Sequence, residues 1–538
     1  MTSSAVSRWN PQPIKHSREE KFLARLGKHR KLFLFLYEQR RALFDDAFQD
    51  ELAKMYRTTG EGKQPVSPAF LAMVILLQAY TGASDAEAVE NTVFDVRWQL
   101  ILDIHGVQEP AFGQGTLQAF RERLIAHDMD RRLVERTVEL ARQSKGFDWK
   151  VLQKTLRIAI DSRPIEGAGR VEDTLNLLGH AAFKLLRAAA ALLEKRAEEI
   201  AACAGAPVFL APSIKAGLDI DWFDPEQKAA ALGELLQQID SLETWIRRQA
   251  GAAANEPPLK DIFELITELR SQNLDPEPPD RGKPQIREGV AVDRRVSIED
   301  NEMRHGRKSK SKRFNGYKQH IANDLDTELI VACSVTPGNR PEAEGADGLK
   351  KDLERYADRK TPNEILVDHG YIQSGMIDDA EKVGAAIVCR PWNPKNGDLF
   401  AKRDFKMNMR LRTITCPAGE TVNFTLGKFV EFPPEKCAVC PIRKRCTKAQ
   451  NDAGRTVSIA ADEPLQQRLR KLVATPKGRE KLRQRVGVEH RLAHLARKQG
   501  PKARYAGCRK NVFDLRRHAA ILNLEVIQRK EAQILKAA

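Results

Sequence analysis

The sequence predicts an α+β chain divided into three or four domains. Apolar residues recur three and four positions apart through most of residues 31–140, a spacing typical of amphipathic helices. Short runs rich in β-branched residues follow at 156–160 and 364–367, which favours strands. The chain has 538 residues, of which 42% are hydrophobic. At roughly 150 residues per domain it can bury several cores, so disorder of the whole chain is excluded.

The N-terminal region is predicted to be a loose segment followed by a helical domain. Residues 1–30 are polar, and residues 31–145 carry the helical pattern, as in FLYEQRRALF and SPAFLAMVILLQAYTG. Ser67, Ser84 and Thr116 are predicted N-caps of helices. A unit of this kind suits a DNA-binding helix-turn-helix or a helical bundle used for packing or dimerisation, and the pattern favours neither.

The middle of the chain is predicted to contain a strand followed by a helical insertion. The strand at 156–160 is expected to end in Asp161. Amphipathic helices and a proline-rich linker then fill residues 171–292. This stretch is interpreted as an insertion.

Strands return after the linker. FNGYKQHIAND and ELIVACSVTPG are predicted to pair as a β-hairpin that turns at 324–327. The strand at 364–367 ends in Asp368, and AAIVCRP is predicted to be another strand after a short helix. Two long helical stretches, 463–498 and 509–537, close the chain.

The net charge points to an acidic macromolecule as partner. Lys and Arg number 89 against 73 Asp and Glu, which gives a net charge of +16. Nucleic acid is the leading candidate, and a generally basic surface is the alternative. No run approaches the ~18 apolar residues of a membrane span, and the N-terminus lacks a signal-peptide core. A cytoplasmic, nucleoid-associated protein is expected.

Three carboxylates stand where a hard cation could bind. Asp161 and Asp368 each follow a short apolar strand, and Glu489 lies in a basic helix. Oxygen ligands at a sheet rim suit Mg²⁺, and two such ions can drive an in-line phosphoryl displacement. Taken singly, each aspartate can instead be a turn or helix cap, and Glu489 a surface salt-bridge partner.

Basic residues cluster in three runs. One includes Phe314 and Tyr317, the second lies among the cysteines, and the third follows Glu489. Such runs suit contacts to the phosphate backbone, although any one run can be a solvated charged face. The predicted DNA-binding residues are Arg307, Lys308, Lys310, Lys312, Arg313, Lys318, Arg497 and Lys498.

Four of the eight cysteines fall within 31 residues. They follow the spacing Cys416-x20-Cys437-x2-Cys440-x5-Cys446. Four thiolates at this spacing suit a structural Zn²⁺ site of the zinc-ribbon kind. An iron–sulfur cluster or a set of unmetallated thiols remain alternatives. The other cysteines are interpreted as ordinary thiols.

Together, the segments IDSRPIEGAGRVEDTLNL, VDHGYIQS and RVGVEHRLAHLARKQGPKARYAGCRKN resemble the DDE transposases of bacterial insertion sequences. The resemblance covers most of the chain, to about residue 525. It implies a ribonuclease-H-like α/β core with a mixed sheet. It also implies that Asp161, Asp368 and Glu489 are the catalytic triad.

The residues around Glu489 follow the family pattern Y-x2-R-x3-E-x6-K in part. Arg485 stands four positions before Glu489, as the pattern requires, and is expected to position phosphate. Leu482 replaces the tyrosine and Ala496 the lysine. Arg497 and Lys498 come just beyond, so the cation that contacts the scissile strand is left open.

The resemblance implies an enzyme that cuts and joins DNA strands with two Mg²⁺ ions, for which Mn²⁺ can substitute. Its partners would be the terminal inverted repeats of its element and target DNA, and it would act as a dimer or higher assembly. A nuclease without strand transfer and a non-catalytic DNA-binding factor are the alternatives.

The expected domain organisation follows from these assignments. It comprises a flexible N-terminus at 1–30, a helical domain at 31–145, a catalytic core at 150–170, 293–410 and 463–530, a helical insertion and linker at 171–292, and a cysteine-rich insertion at 411–450.

Overall fold

The computed structural model describes residues 6–13, 17–57, 64–149, 156–277, 283–355, 362–393, 395–450 and 453–537. The predicted start of the core at residue 150 lies outside these residues, as does part of the proline-rich linker. The architecture is α+β, as predicted, with one mixed sheet, two small sheets and many helices.

Among the described residues, eight helices precede the sheet. They are α1 (Ser17–His29), α2 (Lys31–Leu43), α3 (Asp46–Ala53), α4 (Pro68–Thr81), α5 (Asp85–Phe94), α6 (Val96–Leu102), α7 (Gln114–Ala126) and α8 (Met129–Gln143). Helix α1 lies where the sequence predicts a loose segment. The capping box of Ser84 with Glu87 confirms one predicted N-cap. The predicted cap at Thr116 is wrong by a few residues, since α7 begins at Gln114 after Gly113.

The main sheet has six strands. They are β1 (Arg157–Glu166), β2 (Arg304–Arg307), β3 (Arg313–Asp324), β4 (Ile330–Pro337), β5 (Glu364–Leu366) and β6 (Ala386–Val388). The order is β4-β3-β1-β5-β6, with β2 pairing the start of β3. Strands β5 and β6 run parallel to β1, and β3 runs antiparallel to it. The predicted hairpin of β3 and β4 is confirmed.

Strand β1 is longer than predicted. The sequence suggests that it ends at Asp161, but it continues through five further residues. Each of these pairs with β3, from Ser162 opposite His320 to Glu166 opposite Gly316. The residues Ser162, Arg163 and Pro164 interrupt the apolar pattern in the sequence. Backbone pairing with β3 nevertheless extends the strand through them. Asp161 therefore lies within the strand.

The insertion between β1 and β2 forms a helical lobe with its own core. Its helices are α9 (Thr174–Leu193), α10 (Ala197–Ala204), α11 (Ile214–Leu218), α12 (Pro225–Ala250) and α13 (Leu259–Asn273). Leucines at helical spacing, such as Leu177 and Leu235, are fully buried in this lobe. The backbone N–H of Glu172 donates to the carbonyl of Val296, so the chain leaves and returns at neighbouring points.

Two helices follow in the sheet region, and a small module interrupts the later chain. The helices are α14 (Glu342–Glu354) and α15 (Gly375–Lys382). The module contains β7 (Lys406–Asn408), β8 (Thr413–Thr415), β9 (Thr421–Asn423), β10 (Phe429–Glu431), α16 (Pro434–Ala438) and β11 (Thr456–Ser458). Its own hydrophobic cluster includes Phe405, Ile414 and Phe432.

Four helices close the chain: α17 (Glu463–Ala474), α18 (Pro476–Gln484), α19 (Val486–Gln499) and α20 (Cys508–Ala537). The stretch predicted as one helix at 463–498 is thus three helices, two of which begin with a proline at the first or second position. Helix α20 contributes Phe513 and Ile521 to a core shared with the N-terminal helices and the sheet.

Within the described residues, no single helix is long and apolar enough to cross a membrane. By length and composition, α4 and α5 pass only as a pair, which is bent by 104°. Almost every residue of α4 is buried in the protein.

Candidate active site

Asp161 and Asp368 lie beside each other because their strands are parallel neighbours. Ala159 of β1 pairs with Leu366 of β5, and each aspartate follows two residues later. Asp161 Oδ1 accepts a hydrogen bond from the Ser162 backbone N–H at 2.8 Å. Asp368 Oδ1 accepts one from the His369 backbone N–H at 2.8 Å. Oδ1 of each carboxylate therefore accepts a hydrogen bond from the backbone N–H of the next residue. Oδ2 of each carboxylate can contact a further partner.

Glu489 reaches the same place from α19. Arg485, at the residue before that helix, connects them: its Nη1 lies 3.3 Å from Asp161 Oδ2, and its Nη2 donates to Glu489 Oε1 at 2.7 Å. The four-residue spacing puts both side chains on one face of the helix. The sequence-predicted catalytic residues thus converge, with a guanidinium between two of the carboxylates.

The electrostatics of this cluster favour an additional cation. Burial raises the pKa of Asp161 to about 6, the charge of Arg485 lowers it, and the negative charges of Asp368 and Glu489 raise it further. A single arginine therefore does not compensate three carboxylates. Hard divalent cations prefer such oxygen donors, so these residue types fit Mg²⁺ or Mn²⁺.

The described residues include no group of three or more His, Cys, Asp or Glu side chains placed to hold a metal ion. At the carboxylate cluster the physical reason is the position of Arg485. Its guanidinium fills the space between Asp161 and Glu489. The side chain of Glu489 is 48% exposed, which leaves it room to move.

Two aromatic rings flank the cluster. The His369 ring lies 4.8 Å from that of Trp392, which is 57% exposed. The His369 ring therefore packs against Trp392. Trp392 follows β6 and was not identified from the sequence, since a single tryptophan after a strand carries no distinguishing pattern.

Comparison with family models gives two matches. Residues 415–528 match the family model of a transposase DDE domain, and residues 25–123 match that of a transposase domain of the DUF772 type. Both matched segments are transposase domains. The resemblance recognised from the sequence is confirmed, and the two matches indicate a transposase role. Comparison with curated proteins and with solved structures finds no match.

The matched segments include only part of the candidate site. The transposase DDE segment contains Arg485 and Glu489. Asp161 and Asp368 precede it, so their assignment depends on their position in the sheet. The transposase DUF772 segment covers most of the helices α1–α7.

The predicted DNA-binding residues occupy two kinds of environment. Arg307, Lys308, Lys310, Lys312 and Arg313 lie at the exposed end of the hairpin formed by β2 and β3. None of the five forms an ion pair with another residue that the structure describes. A run of unpaired cations on a two-stranded arm suits a polyanion.

The other predicted DNA-binding residues lie elsewhere. Lys318 is half-buried, its Nζ donates to the Arg340 carbonyl at 2.6 Å, and burial lowers its pKa. Lys498 is paired with Glu525 at 2.6 Å, whereas Arg497 is exposed.

The four clustered cysteines line one small cavity of about 40 Å³. All are free thiols. Burial raises the pKa of Cys446, Arg455 lowers it, and the neighbouring Cys437, Cys416 and Cys440 raise it. The fold therefore gathers all four around one space, although 21 residues separate Cys416 from Cys437.

Proposed function

We propose that the chain is a DDE transposase that cleaves DNA at the ends of a mobile insertion element and joins the freed strand to target DNA. The convergence of Asp161, Asp368 and Glu489 beside Arg485 carries this proposal. The transposase domains found in the same chain support it. It would act in the cytoplasm on chromosomal DNA, as a dimer or higher assembly.

The catalytic core is proposed to be ribonuclease-H-like. The strand order β4-β3-β1-β5-β6, in which β3 alone is antiparallel to β1, supports this assignment. The core would comprise 150–170, 293–410 and 463–530. The remaining proposed units are the N-terminal segment 1–30, which carries α1, the helical domain 31–145, the insertion 171–292 and the cysteine-rich insertion 411–450.

The residues of the site would divide the work of phosphoryl transfer. When bound, two Mg²⁺ ions would activate a water or a 3′-hydroxyl and stabilise the leaving oxygen. Asp161 and Asp368 would hold the ions with their Oδ2 atoms, which do not accept the backbone hydrogen bonds of Ser162 and His369. Glu489 would turn inward to complete the site. Arg485 would leave the carboxylates for a DNA phosphate, for which a planar guanidinium is well suited.

DNA binding is proposed to depend on the hairpin of β2 and β3. Its five exposed cations would contact the phosphate backbone without reading sequence. Arg497 would contribute from α19, and Lys498 and Lys318 would have to give up their present partners. The substrates would be double-stranded terminal repeats and target DNA.

The four cysteines are proposed to hold a structural Zn²⁺. Their position around one cavity supports this, because a closed set of four thiolates is typical of structural zinc. Metal analysis of the purified protein should find about one zinc per chain, lost in Cys440→Ser. Iron with labile sulfide, or no metal, would overturn the assignment.

Cleavage of end-labelled DNA tests the main proposal. The substrate carries the sequences that flank the gene, and the reaction contains Mg²⁺ or Mn²⁺. Asp368→Asn should abolish the terminal 3′ cut and strand joining while leaving DNA binding intact. Asp378→Asn, an exposed aspartate on α15, is the matched control and should cut like the wild type.

The other outcomes decide between functions. Equal cutting by wild type and Asp368→Asn would reject the triad. Cutting without joined products would favour a nuclease. Tight binding by both proteins without any cut would favour a non-catalytic DNA-binding factor.

A further inference from the structure

A fourth carboxylate, that of Glu342, lies between the segments that carry Asp161 and Asp368. Its Oε1 accepts a hydrogen bond from Ser162 Oγ at 2.7 Å, and Ser162 directly follows Asp161 in β1. Its Oε2 fills the space where a side chain at Gly370 would stand, and Gly370 follows Asp368 by two residues. One side chain thus contacts both segments of the proposed metal site.

Close packing of α14 fixes the position of Glu342. Gly345, one turn further along, lies so close to the His320 ring that a Cβ there would collide with it. Gly348 is packed in the same way on Ser334 of β4. The turn before the helix is tied to β3 by Lys318, whose Nζ donates to the Arg340 carbonyl. The backbone therefore delivers Glu342 to the site without relying on a flexible loop.

The surroundings of Glu342 are polar, and the charge of Glu342 acts on that of Lys318, whose Nζ donates to the Arg340 carbonyl. Tyr371, whose hydroxyl lies 2.6 Å from His320 Nδ1, packs beside Ser162. Burial lowers the pKa of His320 to about 3, so this imidazole is neutral. Glu342 forms no ion pair with the residues that the structure describes. Its charge therefore adds to that of Asp161 and Asp368.

We propose that Glu342 is a positioning residue that holds Asp161 in its metal-binding orientation and adds negative potential to the site. Through Ser162 it fixes the part of β1 whose backbone N–H donates to Asp161 Oδ1, so that Oδ2, which faces Arg485 in this structure, would be presented to the ion. The proposal rests on the proposed function, because it assumes a divalent cation at Asp161 and Asp368. Partners that orient metal ligands in this way strengthen metal binding by about 10–100-fold.

Direct Mn²⁺ binding to the full-length protein, followed by electron paramagnetic resonance, tests this role. Glu342→Gln keeps an oxygen that can accept the Ser162 hydrogen bond but removes the charge. It should weaken Mn²⁺ binding by about tenfold. Gly370→Ala leaves the carboxylate intact but displaces it, and should weaken binding similarly. Glu344→Gln, an exposed glutamate two residues along α14, should bind as the wild type does.

Asp368→Asn separates the two possible failures. If this variant binds Mn²⁺ like the wild type, the metal site itself is misplaced and the proposed function fails. If it loses Mn²⁺ while Glu342→Gln and Gly370→Ala bind normally, the role of Glu342 is overturned. Thermal denaturation of each variant shows that weaker binding does not come from unfolding.

Discussion

Buried polar side chains connect the strand of Asp161 to the helix of Glu489. Arg163, two residues after Asp161, donates through Nε to Gln319 at 2.8 Å and through Nη2 to Gln499 at 2.6 Å. Gln499 is the last residue of α19 and also donates to Asp514 of α20. These hydrogen bonds help to set the separation of two proposed catalytic carboxylates.

The end of this network should make stability depend on pH. His518 is fully buried, its Nδ1 lies 2.7 Å from the Asp514 carbonyl, and burial lowers its pKa to about 4. Asp514 and Arg517 face it, with opposite effects on that pKa. Because the unfolded chain takes up a proton near pH 6.5 and the folded chain near 4, stability falls as the pH decreases between these values.

Urea unfolding at pH 7 and pH 4.5 measures this effect. The wild type should lose on the order of 2–3 kcal/mol from His518 alone. In His518→Asn the amide can keep the hydrogen bond to the carbonyl. The decrease in its unfolding free energy between pH 7 and pH 4.5 should be smaller than that of the wild type by this amount. Equal losses in both proteins would show that carboxylates elsewhere cause the dependence.

Among the elements, the hairpin of β2 and β3 extends furthest from the carboxylates along the sheet. Asp161 pairs with Ile321, and the cationic end of β3 begins eight residues before it, at Arg313. At about 3.4 Å per residue, that end lies roughly 27 Å along the strand. This distance spans about eight base pairs of duplex. The arm is therefore suited to hold DNA nearly one helical turn from the site of cleavage.

Salt-dependent binding to DNA tests the arm. Replacing Lys308, Lys310 and Lys312 together with alanine should reduce the slope of log affinity against log salt by about 2–3, since each phosphate contact contributes about 0.9. The same triple change at Lys195, Lys228 and Lys260 of the helical lobe removes equal charge. This control variant should leave the salt dependence of DNA binding unchanged. If both triple variants reduce the slope equally, the effect comes from net charge and not from the arm.

The sequence predicts most helices and strands correctly, but not the pairing and packing between them. Short apolar runs identify β1, β3, β4 and β5, because strands buried in a sheet leave little choice of residue. The continuation of β1 past Asp161 depends on pairing with β3, which no local pattern reveals. The place of Glu342 depends on glycine packing between α14 and the sheet, so its sequence context marks it only as a first-turn acid.

Across the whole molecule, the N-terminal helices and the sheet are built on one core. Helix α20 passes between them, and its arginines meet Asp130 of α8, which is 1% exposed. Arg509 donates to Asp130 at 2.6 and 2.9 Å, and Arg516 pairs with both Asp130 and Asp352 of α14. The helices expected at 31–145 are thus coupled to the sheet by charge as well as by apolar contacts.

Removing the central acid should destabilise both parts together. Asp130→Ala removes the buried partner of Arg509 and one of the two buried partners of Arg516, and should cost about 3–5 kcal/mol of unfolding free energy. Denaturation followed by tryptophan fluorescence and by circular dichroism should shift in one step. Glu199→Ala, which breaks the exposed pair with Arg196, should leave the free energy of unfolding unchanged. Separate transitions in the Asp130 variant would show that the two parts unfold independently.

The guanidinium between Asp161 and Glu489 has a thermodynamic consequence for the order of assembly. Arg485 contacts the same carboxylate oxygens that the proposed metal ions would need, and a DNA phosphate would compete for its guanidinium. Under the proposed function, metal and DNA would therefore strengthen each other's binding by the same factor, as linkage requires. Without DNA, Arg485 would neutralise part of the negative charge of the site and weaken metal binding. DNA binding would then promote assembly of the catalytic site.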